Sequence, residues 1–101
     1  VADSAAFEFI CTALERRTEL DRLQARGTVR LALREAGLDA RAATVEQMRV
    51  VVDRVLPREL EARGVADADG LCADLVVGLD DVVDEAPAET PETVFERLGG
   101  S

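Results

Sequence analysis

Apolar residues recur along this chain in helical steps, with little of the alternation that marks strands. Phe7, Ile10, Cys11 and Leu14 keep the i, i+3, i+4, i+7 spacing of one helix face. Ser4 stands just before them as an N-cap residue, and the spacing predicts a helix over Ala5–Arg17. A second stripe runs through Leu20, Leu23, Gly27 and Leu31, widened by Val29, Leu33 and Ala36. Thr18 is the expected cap of this helix, with Glu19 and Asp21 in its first turn, where carboxylates suit the positive end of the macrodipole. Gly27 in mid-helix costs about 1 kcal/mol against alanine, so the expectation is a close helix approach or a kink there. Gly37 closes the helix, and Leu38 and Leu33 fall at the two positions a Schellman ending brings into contact.

The pattern then repeats in shorter units. Thr44 and Gln47 form a capping box ahead of Val45, Met48, Val51, Val52, Val55 and Leu56, which predicts a third helix despite its β-branched run. Pro57 interrupts this stripe: proline turns the residue before it, Leu56, away from helical angles and starts a helix well. A short fourth helix is therefore expected over Pro57–Arg63, set at an angle and closed by Gly64 and Val65, with Leu60 at C3. Asp67 is the expected cap of a fifth helix running to about Val83, apolar along Leu71, Cys72, Leu75, Val76, Leu79, Val82 and Val83. From Asp84 the composition turns acidic and reads as a linker through Pro87. Thr90, Pro91 and Glu92 then open a short helical signal whose apolar stripe is Val94, Phe95 and Leu98. Seven or eight residues do not hold a helix alone, so this segment is expected to dock on something or to lack fixed structure. The fold class expected is all-α: a small bundle of four to five helices over residues 4–83, followed by a flexible acidic C-terminal tail, residues 84–101, carrying one short amphipathic helix.

Composition narrows the chemistry. The chain has 101 residues, which suits one domain, and its 48% hydrophobic content is enough for one modest core. It contains no His, Lys, Tyr, Trp or Asn. Without His there is no Ser–His or Cys–His nucleophile pair and no histidine metal ligand. Without Lys there is no Schiff base and no phosphate-loop lysine. The only serines are Ser4 and Ser101, so no inner helix begins with a serine able to carry a prosthetic arm. All 12 basic residues are Arg, and with the abundant Ala this reads as the codon bias of a GC-rich, bacterial genome. Cys11 and Cys72 are too few for a zinc site and read as small buried residues, with a disulfide possible only if their helices are neighbours. No run approaches the ~20 apolar residues that cross a bilayer, and no basic-then-apolar leader is visible at the start, so the expected compartment is the cytoplasm.

Charge is unevenly distributed. Residues 15–63 carry 11 arginines against 9 carboxylates, whereas residues 64–101 carry 10 carboxylates against Arg97 alone, within a net charge of −9. Two accounts follow. The acidic fifth helix pairs with Arg-bearing neighbours, or an Arg-rich face meets an acidic partner. Arg22, Arg26 and Arg30 recur every four residues, and Arg34 extends the row, making one helix edge positive.

Three weak signals carry little chemistry. Asp67-Ala68-Asp69-Gly70 resembles part of a calcium loop, but the register puts Val65 and Val76 at essential ligand positions. The Asp80, Asp81, Asp84, Glu85 cluster lacks complementary ligands and reads as a solvated helix end. Residues 28–52 can be arranged as helix-turn-helix, but the acidic balance opposes approach to phosphate.

The sequence therefore predicts a non-catalytic protein–protein interaction or adaptor module, with no catalytic residue, metal or cofactor. Its candidate partner-binding residues are Val94, Phe95 and Leu98 in the tail and Arg22, Arg26 and Arg30 on the second helix. The expected partner is a protein, and a homodimer is expected where short amphipathic helices complete their core across a two-fold axis. The alternative is a helix-turn-helix-like nucleic-acid-binding regulator whose Arg-rich helix is masked by the acidic C-terminal part.

Overall fold

A computed structural model of the chain describes residues 3–84. Among them the architecture is all-helical: α1 (Ala5–Arg17), α2 (Arg22–Glu35), α3 (Val45–Arg54), α4 (Leu56–Ala62) and α5 (Ala68–Leu79), with no strand. The expected C-terminal helix and its stripe, Val94, Phe95 and Leu98, lie outside the described residues.

α1 matches its predicted span. The Ser4 hydroxyl accepts from the Phe7 N–H at 3.2 Å, and Phe7, Ile10, Cys11 and Leu14 are buried. α2 begins later than expected. Thr18 closes α1, its hydroxyl donating to the Leu14 carbonyl at 2.6 Å and accepting from the Leu20 N–H at 3.1 Å. Asp21 is the true N-cap of α2, in a capping box with Gln24. Thr18 was a plausible cap by type, but an Asp with Gln three residues on satisfies two orphan donors where Thr18 satisfies none of that helix's.

The buried face of α2 also differs from the expected stripe. Ala25, Thr28, Val29, Ala32 and Leu33 are buried, while Leu23 is 82% exposed and Leu31 37%. Small alanines set this face because α1 lies close against it; a stripe weighted by side-chain size points the other way. Gly27 is neither a close-approach point nor a kink marker, since a Cβ there meets nothing within 4 Å and the helix continues through it. The C-terminus of α2 follows the expected Schellman pattern: Gly37 has φ +76°, its N–H donates to the Arg34 carbonyl at 3.0 Å, and the Leu38 N–H donates to the Leu33 carbonyl at 2.8 Å.

α3 opens on the predicted Thr44–Gln47 capping box and buries Val45, Met48, Val51 and Val52. α4 starts one residue before the expected position. Leu56 is helical despite preceding Pro57, and Val55 alone is the joint with α3. Leu56 is fully buried, and that burial outweighs the local steric bias against a helical residue before proline. α4 closes as predicted, with Gly64 at φ +79° and the Val65 N–H donating to the Leu60 carbonyl at 3.0 Å.

α5 begins after Asp67 as expected but ends early. Asp67 precedes it in the left-handed region, φ 53° and ψ 44°, and its side chain makes no capping hydrogen bond. The helix stops at Leu79, short of Val83, which is exposed. Its inward face, Leu71, Cys72, Leu75 and Leu79, joins one core shared by all five helices. α1 packs chiefly on α2 and α3 on α5, while α4 lies against α2, α3 and α5. No helix among the described residues is long and apolar enough to cross a membrane.

Candidate functional site

The predicted Arg row lies on α2, and tertiary contacts divide it. Arg26 places one guanidinium nitrogen 2.6 Å from Asp3 Oδ2 and 2.7 Å from Glu8 Oε1. Arg30 reaches the same Asp3 oxygen at 2.9 Å. Both guanidinium carbons stand over the Phe7 ring, 5.2 and 5.3 Å from its centroid, within cation–π range. Asp3 is only 11% exposed at its side chain and Arg26 18%, so this α1–α2 cluster is partly shielded from solvent screening. The Glu8 carboxylate 2.7 Å away, opposed by partial burial, raises the Arg26 guanidinium further above its ordinary value. Arg22 and Arg34, at the two ends of the row, are exposed and have no carboxylate within 4.0 Å among the described residues. The row is therefore neutralised in the middle and open at both ends.

Beside it runs a second row on the same helix. Leu23, Gly27 and Leu31 are spaced i, i+4, i+8 and all face outward. Single exposed apolar residues are ordinary. Here two leucines flank a glycine with open space above it, alongside the Arg row, so the outward side of α2 is amphipathic in its own right. The stripe expected from spacing, Leu20, Leu23, Gly27 and Leu31, thus faces solvent at its last three positions rather than packing inward.

Two carboxylates of α5 and its C-cap meet arginines of neighbouring helices. Arg17 on α1 meets Asp74 at 2.9 Å, and Arg49 on α3 meets Asp80 at 2.7 Å. The hydrogen bond to Asp80 raises the Arg49 guanidinium above its ordinary value. Asp84 serves as a cap for another helix: its Oδ1 accepts from the Val45 N–H at 2.7 Å, at the first turn of α3. No spacing rule links Asp84 with Val45 or Asp3 with Arg26, so neither contact was legible in the sequence. Among the described residues no group of three or more His, Cys, Asp or Glu is placed to hold a metal ion.

The two thiols are unbonded and buried. Burial pushes both up to about 12, Cys11 against the lowering influence of Arg26, and Cys72 with a further upward push from Asp69 and Asp53. Such thiols are protonated near neutrality and are poor nucleophiles. A cleft of about 500 Å³ lies where the α1–α2 turn faces the α4–α5 turn, between Leu20 and Val65, with Arg17 and Arg63 on its walls. Both arginines are engaged, Arg17 by Asp74 and Arg63 by Glu59 at 3.0 Å. The charge left on the cleft wall is Glu19, which has no arginine within 4.0 Å among the described residues.

Comparison with known proteins found no matching family model, no matching curated protein and no matching solved structure.

Proposed function

We propose that the chain is a non-catalytic protein–protein interaction or adaptor module, and that the outward side of α2 is its receiving surface. The observation that carries this reading is the pair of parallel rows on that helix: Leu23, Gly27 and Leu31 beside an arginine row open at Arg22 and Arg34. The ligand chemistry that suits such a surface is an amphipathic helix with apolar anchors and carboxylates along one edge. Apolar anchors supply affinity, and the arginines fix register and hasten encounter.

Nucleic-acid binding draws less support. Asp3 and Glu8 already neutralise Arg26 and Arg30, which lowers the number of phosphates the helix could engage.

Cross-linked affinity capture from the native organism, run in parallel with the wild-type chain and a Leu23→Glu variant, tests the proposal. The partner enriched by the wild type should bind the purified variant at least tenfold more weakly. Equal binding by both removes α2 from the function.

A further inference from the structure

The chain carries its own segment of the chemistry that the α2 surface suits. Placed on a helix, Val94, Phe95 and Leu98 form one stripe, with Glu92 three residues from Phe95 on one edge, Glu96 one turn behind it, and Arg97 three residues from Val94 on the other edge. The described residues end at Asp84, held at the start of α3 by its bond to the Val45 N–H. The connection leading from α2 into α3 lies at that same end of the bundle, where the Ser4 N–H donates to the Ala40 carbonyl at 3.0 Å. The five Cα steps from Asp84 to Glu89 span at most ~18 Å when extended, against ~21 Å for the 14-residue α2.

We propose that residues 89–98 lie along the outward side of α2 of the same molecule, with the Val94, Phe95, Leu98 stripe on the leucine row and the glutamate edge against Arg34 and its neighbours. A second copy of α2 is the poorer occupant, because face-to-face packing sets one arginine row against another. The arrangement is autoinhibitory: an external partner must displace the C-terminal segment before it can bind. It rests on the reading that this side of α2 receives acidic amphipathic helices.

The test compares backbone amide resonances of the full chain with those of a full-chain F95A/L98A variant. Neither substitution alters a residue of the described core. The expected result is a shift of the Leu23, Gly27 and Leu31 amides, unchanged on tenfold dilution and reproduced by Arg34→Glu. Identical α2 resonances in the two proteins overturn the proposal. Shifts that disappear on dilution overturn it as well, and assign the surface to the segment of a second copy. If Leu23→Glu abolishes partner binding while F95A/L98A leaves α2 unmoved, this inference falls and the receiving-surface reading stands. If α2 moves but Leu23→Glu leaves partner binding intact, the outcome is the reverse.

Discussion

Two glycines of α2 and its boundary show how one residue type takes opposite roles. Gly27 is helical with open space around it, so Gly27→Ala should raise the unfolding free energy by about 0.5–1 kcal/mol, chiefly by restricting the unfolded chain. Gly37, at φ +76°, closes the helix in a conformation that crowds a Cβ, so Gly37→Ala should lower stability by about 1–2 kcal/mol. Urea unfolding of the two variants checks the opposite signs. The cysteines give a pH prediction. The chain has no Lys, Tyr or His, so Cys11 and Cys72 are the only side chains expected to titrate between about pH 8 and 12. Both are pushed from 9.0 up to about 12 in the fold, so above pH 9 the unfolded chain sheds protons that the folded chain retains. Stability is full below pH 9 and declines as pH rises toward 12. A Cys11→Ala, Cys72→Ala double variant should lack that alkaline decline in its urea midpoint. An unchanged decline would assign it elsewhere.

At the level of the element, helix ends were the most legible feature. The Thr44–Gln47 box and the Gly37 and Gly64 closures involve groups within a few residues of one another, so local spacing carries the whole signal. Thr44→Ala should cost about 1 kcal/mol. The α3 N-terminus has a second satisfying group in Asp84, 39 residues away. Asp84→Ala should cost about as much, ~1 kcal/mol, since it leaves the Val45 N–H without this acceptor. Thermal unfolding of the two single variants and the double checks both values. Near-additive losses are expected, because Thr44 accepts from Gln47 and Asp84 from Val45. The α5 N-terminus stands at Asp67 as expected, with the carboxylate lying over Gly70 but making no capping hydrogen bond, whereas the C-terminus falls at Leu79 rather than near Val83.

Across the described molecule, two carboxylates of the acidic half, Asp74 and Asp80, are met by arginines of α1 and α3. Asp3 accepts from two arginines of α2 over the Phe7 ring and ties the start of α1 to its neighbour. Asp3→Ala should lower stability by about 2 kcal/mol, as loss of hydrogen bonds to charged groups does. Because Arg30 is half exposed, part of that loss should shrink in 1 M salt, where the screening length is about 3 Å. A urea series at low and high salt reads both effects. Phe9 shows the same dependence on distant partners. Its ring lies over Gly78 of α5, where a Cβ would stand 2.6 Å from Phe9 Cζ, so a glycine in one helix admits an aromatic from another.

The helical class, the five segments and most of their caps follow from the sequence alone, because they depend on 3.6-residue periodicity and on hydrogen bonds closed within a turn. Which side of α2 faces inward did not follow. Two apolar faces were available, and the one lined with alanines went inward because it lets α1 approach closely, leaving Leu23 and Leu31 outside. Nor did the sequence assign partners to its charges: Asp3, Asp80 and Asp84 find theirs between 23 and 39 residues away. Pairings of that kind are set by how the helices stack, and only the tertiary structure decides them.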